Sequence, residues 1–193
     1  MIELINVSKK FKKKEVFKEV NYTFKENNIY LLIGENGSGK STLIKLLLKL
    51  INPSKGRIIN NLKYGYCPDK INIPNYLTVR EFLDLLQDIR KCKKKYNHLI
   101  KLFNLSEYLD VAVSKLSKGT FQKLLLIQTF IHEPKLLIFD EPLNGLDNAM
   151  QKVFINQVHK EKGNKIIIIS THYFEKYLKI NPIIINIKDK TLY

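Results

Sequence analysis

The sequence predicts an α/β domain on a mainly parallel sheet, with a block of helices inserted between its strands. Three observations predict it. Short apolar runs rich in β-branched residues recur along the chain, and helical patterns separate them. A glycine-rich loop joins the first strong apolar run to a helical segment. The stretch 78–131 is patterned as helix and holds no run that reads as a strand.

In chain order, the opening MIELINVSKKFKKK puts its apolar residues before its charges and has no long apolar centre. It therefore reads as a short hairpin carrying Phe11 and not as a secretory leader. Strands are expected at 29–33, 65–67, 136–139, 165–170 and 183–187, where three or more neighbouring apolar residues, or a short apolar run after Gly65, suit a sheet buried on both faces. A helix is expected at 41–50; its part 43–50 is apolar nearly all round, which fits burial against the sheet. Another helix, 120–131, precedes strand 136–139. No repeat and no Pro/Gly/Ser-rich linker interrupts the pattern. One domain over 1–193 follows, with an α/β core at about 1–71 and 132–193 and a helical subdomain at about 72–131.

With 193 residues, 45% of them hydrophobic, the chain can bury a substantial core. No stretch approaches the roughly 20 unbroken apolar residues of a membrane helix. The formal charge of +15 would ordinarily suggest nucleic acid, yet the cations are 30 Lys and only 3 Arg. Arg is the residue that reads phosphates and bases in a planar, bidentate way, so no specific nucleic-acid partner is expected. The lysines at 9, 10 and 12–14, and at 91 and 93–95, read as solvated faces, with attraction to an anionic membrane surface left open. Cys67 and Cys92, without a CxxC pair, read as ordinary thiols of a reducing compartment.

The loop Gly34-Glu35-Asn36-Gly37-Ser38-Gly39-Lys40-Ser41-Thr42 fills every fixed position of G-x4-G-K-[ST], between a strand and a helix. Glycines allow the backbone N–H groups to turn inward as an anion nest, at a helix N-terminus whose dipole favours phosphate. Lys40 is placed to reach the β- and γ-phosphates of a nucleotide, and Ser41 to ligate Mg²⁺. The run 136–139 ends in Asp140 and Glu141. A strand of a parallel sheet delivers its C-terminal residues to the ligand crevice, so Asp140 can hold Mg²⁺ and Glu141 can polarise the attacking water.

Further segments resemble those of the ATP-binding cassette (ABC) family. Leu116-Ser117-Lys118-Gly119-Thr120, then Phe121-Gln122-Lys123, is similar to the family's signature LSGGQ and its following residues. Pro142-Leu143-Asn144-Gly145-Leu146-Asp147 resembles its D-loop, and Ser170-Thr171-His172 its switch histidine after a strand. The resemblance implies a P-loop NTPase core with an inserted helical subdomain carrying the signature. It implies hydrolysis of ATP with Mg²⁺, and a head-to-tail pair of cassettes, homodimeric or heterodimeric. In that pair Ser117, Lys118, Gly119 and Thr120 face the nucleotide of the opposite copy, Asp147 meets the partner, and Glu141 and His172 are catalytic. It further implies an integral membrane permease as partner and a peripheral place on the cytoplasmic face of the membrane.

Three points depart from the family or stay open. Asp69 stands where the family has the Gln of its Q-loop. It reads as a further Mg²⁺ ligand or as a turn residue after Pro68. Phe11 stands where the family has an aromatic residue against adenine; a core role for Phe11, with Phe17 or Tyr22 at the base, fits equally. Lys118 replaces the first Gly of the signature pair, its side chain directed to solvent or to the opposite nucleotide. Read alone, Ser117 would be no more than an N-cap. The SKG signature and PLNGLD resemble those of exporters, so export is favoured. A soluble family member in assembly, ribosome or nucleic-acid work is the alternative.

Overall fold

In the computed structural model, residues 1–12, 14–74, 76–91 and 96–193 are described; Cys92 and the lysines at 13 and 93–95 lie outside them. The chain runs β1 (Ile2–Phe11), β2 (Lys14–Phe24), β3 (Asn28–Ile33), α1 (Lys40–Leu47), β4 (Lys55–Ile59) and β5 (Tyr64–Cys67). Then come α2 (Val79–Arg90), α3 (Asn97–Leu102), α4 (Lys118–Phe130), β6 (Leu136–Asp140), α5 (Asn148–Glu161), β7 (Ile166–Ser170), β8 (Ile183–Lys188) and β9 (Thr191–Leu192).

The larger sheet has the order β5-β6-β7-β3-β8-β9. Every pairing in it is parallel except β8 with β9. Its central strands are apolar throughout because both faces are covered. Leu137, Phe139, Ile167 and Ile169 point to one core, and Leu136, Ile138, Ile166 and Ile168 to the other. The alternation follows from the two-residue period of a strand. All four isoleucines of β7 are fully buried, and each contributes on the order of 1.5–3 kcal/mol relative to exposure. One face packs against the helices that follow β5 and against α5. The other packs against α1 and a second, antiparallel sheet of order β2-β1-β4.

The expected helix 41–50 is shorter than its apolar pattern. It ends at Leu47, Lys49 turns left-handed at φ 57°, and Leu50 is 57% exposed. Two bonds close the end: Leu50 N–H donates to Lys45 O at 2.9 Å and Lys49 N–H to Leu46 O at 3.0 Å. This 6→1, 5→2 pair satisfies the last carbonyls and throws Leu50 off the core face. The short hairpin expected at the N-terminus is instead two strands of 10 and 11 residues.

Among the described residues between β5 and β6 the regular elements are helices, as the pattern predicts, save one isolated bridge between Thr78 and Ala112. Thr78 and Glu81 form a reciprocal capping box at the start of α2. Helix α4 begins at Lys118, two residues before the expected start, because Ser117 caps it: Thr120 N–H donates to Ser117 Oγ at 3.1 Å. Gly65 allows α4 to lie close on β5, since a Cβ there would come within 2.1 Å of Thr129 O.

Candidate functional site

The C-terminal ends of β3, β5, β6 and β7 lie along one edge of the sheet, and every linear motif of the α/β core emerges there. Out of β3 comes the glycine-rich loop. Gly39, at φ 118°, is the N-cap of α1, and a Cβ on it would come within 2.8 Å of Val16 and 2.9 Å of Phe17. A residue without a side chain is thus required for the loop to lie on β2. It also leaves the first-turn N–H groups of α1 without a side-chain cap, free to meet an anion. Lys40 is only 8% exposed, and its Nζ donates to Gly34 O at 2.7 Å and Glu35 O at 3.1 Å. The ammonium lies across the mouth of its own loop.

Facing it are the two carboxylates that end β6. Consecutive strand residues point to opposite faces, so Asp140 and Glu141 could not share a cleft in a continuing strand. The chain resolves this by turning Glu141 left-handed, at φ 52°. Ser170, at the end of β7, clamps the turn. Glu141 N–H donates to Ser170 O at 3.1 Å and to Ser170 Oγ at 3.3 Å, while the Ser170 hydroxyl donates to Asp140 Oδ1. Asp140 Oδ2 accepts from Ser41 Oγ at 3.2 Å, joining the strand end to the loop helix.

Glu141 is held on its far side by His172. Its Oε2 accepts from the His172 backbone N–H at 3.4 Å, and His172 Nε2 lies 3.2 Å from Oε1, in ion-pair range but outside hydrogen-bonding geometry. Burial raises the Glu141 carboxyl above the usual carboxylate range. The charge and backbone N–H of His172 oppose that rise, Asp140 adds to it, and Lys40 opposes it further. A half-buried carboxylate with a raised pKa, in a cleft beside a histidine, is equipped to hold and move a proton.

These residues line one cleft of about 600 Å³. Phe11, Asn36, Gly37, Gly39, Lys40, Ser41 and Thr42 form one side of it, and Asp69, Asp140, Glu141 and His172 the other. Phe11 is 46% exposed, so the expected alternative of a core role is corrected, whereas Phe17 is buried and Tyr22 packs on Phe24. Asp69 sits in a bend after Pro68, as the turn reading expects, and its side chain reaches the cleft, where Oδ1 accepts from Asn144 Nδ2 at 3.4 Å. Gly34, Glu35 and Ser38 line a neighbouring cleft of about 770 Å³ across the loop, which the acidic pair does not enter.

Ser117, Lys118, Gly119, Thr120 and Asp147 stand apart from the cleft. Gly119 abuts the loop after Glu141, where a Cβ would come within 2.6 Å of Gly145 O. The Lys118 stem passes beside Gly145, and the residue is exposed. Asp147 caps α5, its Oδ1 accepting from Met150 N–H at 2.8 Å. Gln122, from α4, ties this corner together by donating to Pro142 O at 3.1 Å.

Four contributors escaped sequence reasoning. Ser170 could have been found from its place one residue after the apolar run; Asn144 and Gln122 were quoted only as parts of motifs; Lys14, which lines both clefts, was hidden in a run of lysines. Among the described residues no group of three or more His, Cys, Asp or Glu forms a self-sufficient metal site. Ser41 Oγ against Asp140 Oδ2, with Asp69 nearby, is an all-oxygen set that fits a hard cation sharing its shell with phosphate oxygens.

A family model described as ABC transporter matches residues 17–144. The zinc import ATP-binding protein ZnuC of Rickettsia conorii is 40% identical over 185 residues, covering 90% of this chain and 77% of that protein. ZnuC of Mannheimia succiniciproducens is 35% identical over 89% of this chain and 67% of that one. Among solved structures, an ATP-binding subunit of an ABC transporter superposes with a TM-score of 0.90 at 26% identity, over 100% of this chain and 88% of that one. A dimeric bacterial ABC transporter cassette has the same fold, with a TM-score of 0.87 at 23% identity, over 100% of this chain and 96% of that one.

Proposed function

The chain belongs to the ABC transporter family as an ATP-hydrolysing subunit, and we propose that it powers import of zinc through a separate membrane-spanning permease. The observation that carries this reading is the 40% identity, over 90% of the chain, to a zinc import ATP-binding protein. The expectation of export is corrected by the same relatives, which are import proteins. Among the described residues no helix is long and apolar enough to cross a membrane, which is why the reading requires a permease.

In this reading the loop amides and Lys40 bind the phosphates of ATP, and Phe11 takes a face of the adenine. Ser41, Asp140 and Asp69 would hold Mg²⁺, which supplies charge neutralisation on the phosphate oxygens. Glu141 accepts a hydrogen bond from the attacking water at its carboxylate and draws off the proton as the water adds to the γ-phosphorus. The bond from that phosphorus to the β–γ bridging oxygen breaks and its electron pair leaves with ADP, giving ADP and phosphate. The raised pKa of Glu141 suits that transfer, because a more basic carboxylate is a better acceptor. His172 positions Glu141 and the water. Ser170 fixes the Asp140 carboxylate and the Glu141 backbone from behind. Ser117, Lys118, Gly119, Thr120 and Asp147, which do not line the cleft of their own chain, would complete the site of a second cassette.

Coupling to the permease has a physical route. The segment that brings Asp69 to the nucleotide continues into a groove of about 690 Å³ lined by Ile71, Ile73, Pro74, Val113 and Phe121. A permease loop seated there would bear on the same backbone that touches the nucleotide. The test is to purify the tagged chain from native membranes. A polytopic membrane protein should co-purify and ATP hydrolysis should accompany it; recovery of ribosomes or nucleic acid in its place would favour the soluble alternative.

A further inference from the structure

Phe11 ends β1 with its ring at the cleft, 46% exposed, and an exposed aromatic ring on a strand end has many rotamers open to it. Something must hold it flat for a base to stack. Lys9 lies two residues back along β1. Its Nζ sits 4.8 Å from the centroid of the Phe11 ring. The same ammonium donates to Asn52 O at 2.6 Å. Lys9 is not among the residues that line the cleft.

The anchor is itself fixed. Asn52 belongs to the short connection that leaves α1, and that connection is stitched to β1. Ser54 N–H donates to Ser8 O at 2.7 Å, and Lys10 N–H donates to Ser54 Oγ at 3.0 Å. Helix α1 thus meets the phosphates at its N-terminus and, through its exit, fixes the group that backs Phe11.

We propose that Lys9 is a positioning residue for adenine: by bridging the Phe11 ring and the Asn52 carbonyl it holds Phe11 as a preset platform, and it acts on the base and not on the phosphates. The inference rests on the reading of Phe11 as the base-contacting residue. The cation–π contact orients the ring and draws electron density from it, which favours stacking with the electron-rich adenine.

The test compares dissociation constants for ATP and for inorganic tripolyphosphate, measured on the intact chain by calorimetric competition. Lys9→Met keeps the aliphatic stem and removes the charge. It should weaken ATP about two- to fivefold, the scale of one exposed cation–π contact, and leave tripolyphosphate unchanged. Lys9→Arg, which also sits over a ring and donates to a carbonyl, should restore ATP affinity. Equal weakening of both ligands by Lys9→Met would make Lys9 a phosphate-side charge and overturn the proposal, as would unchanged ATP affinity. Phe11→Ala separates the two levels of the argument. It should weaken ATP and spare tripolyphosphate, and unaltered ATP affinity in that variant would overturn the base-platform reading itself.

Discussion

Glu141 shows how much of the site depends on a single backbone angle. Its left-handed turn brings it round to join Asp140 in one cleft, and Ser170 holds the turn closed. Replacing it tests catalysis and linkage together. Glu141→Gln keeps size and polarity but cannot take a proton, so ATP hydrolysis should fall by at least about 100-fold. Burial raises the pKa of this carboxyl in the fold. A raised folded pKa means that the group supports the fold below its unfolded pKa, and that this support is lost as pH rises through the folded value. The wild type should therefore lose ground to Glu141→Gln on passing from acid to neutral pH, and the Tm difference should close again in acid. A variant that still hydrolyses ATP at the wild-type rate, or a Tm difference independent of pH, would contradict this account of the residue.

At the scale of elements, what the sequence disclosed follows burial. Strands β3, β6 and β7 are covered on both faces, so their apolar runs are continuous and readable. Strands β1, β2 and β4 are covered on one face only, and irregularities break even that alternation. The register of β1 shifts between Leu4 and Val7 and again before Lys9 and Lys10, and Asn6 and Glu19 are left-handed. In β2 the fully buried residues, Phe17, Val20 and Phe24, fall three and four apart, a spacing that looks helical. The site divides in the same way. Motifs contiguous in the chain were legible, whereas the Ser170 clamp and the approach of Gly119 to Gly145 arise only when distant segments pair. That approach yields a prediction for α4. Gly119→Ala places a Cβ 2.6 Å from a backbone oxygen, so either α4 or the loop at Gly145 must shift. Stability should drop by about 1–3 kcal/mol, read as a lower midpoint in urea at unchanged slope. An unchanged midpoint would mean that this corner yields freely and does not define the position of α4.

The whole molecule joins two kinds of surface through one sheet edge. The nucleotide cleft lies at the strand ends, and the groove beyond Asp69 lies where the helical block begins. The residues 117–120 and Asp147 stand outside their own cleft, which fits a site completed by a second cassette. The net charge of +15 is carried mostly by lysines, which suits solvated faces. In the proposed function hydrolysis in this cleft powers zinc entry, a role read out by the uptake of radiolabelled zinc. Cells lacking the chain should regain uptake when given the wild type, and should not regain it with Glu141→Gln recovered in the membrane fraction at the same level. Uptake restored equally by Glu141→Gln, or not restored by a wild-type chain present at its normal level, would contradict the claim.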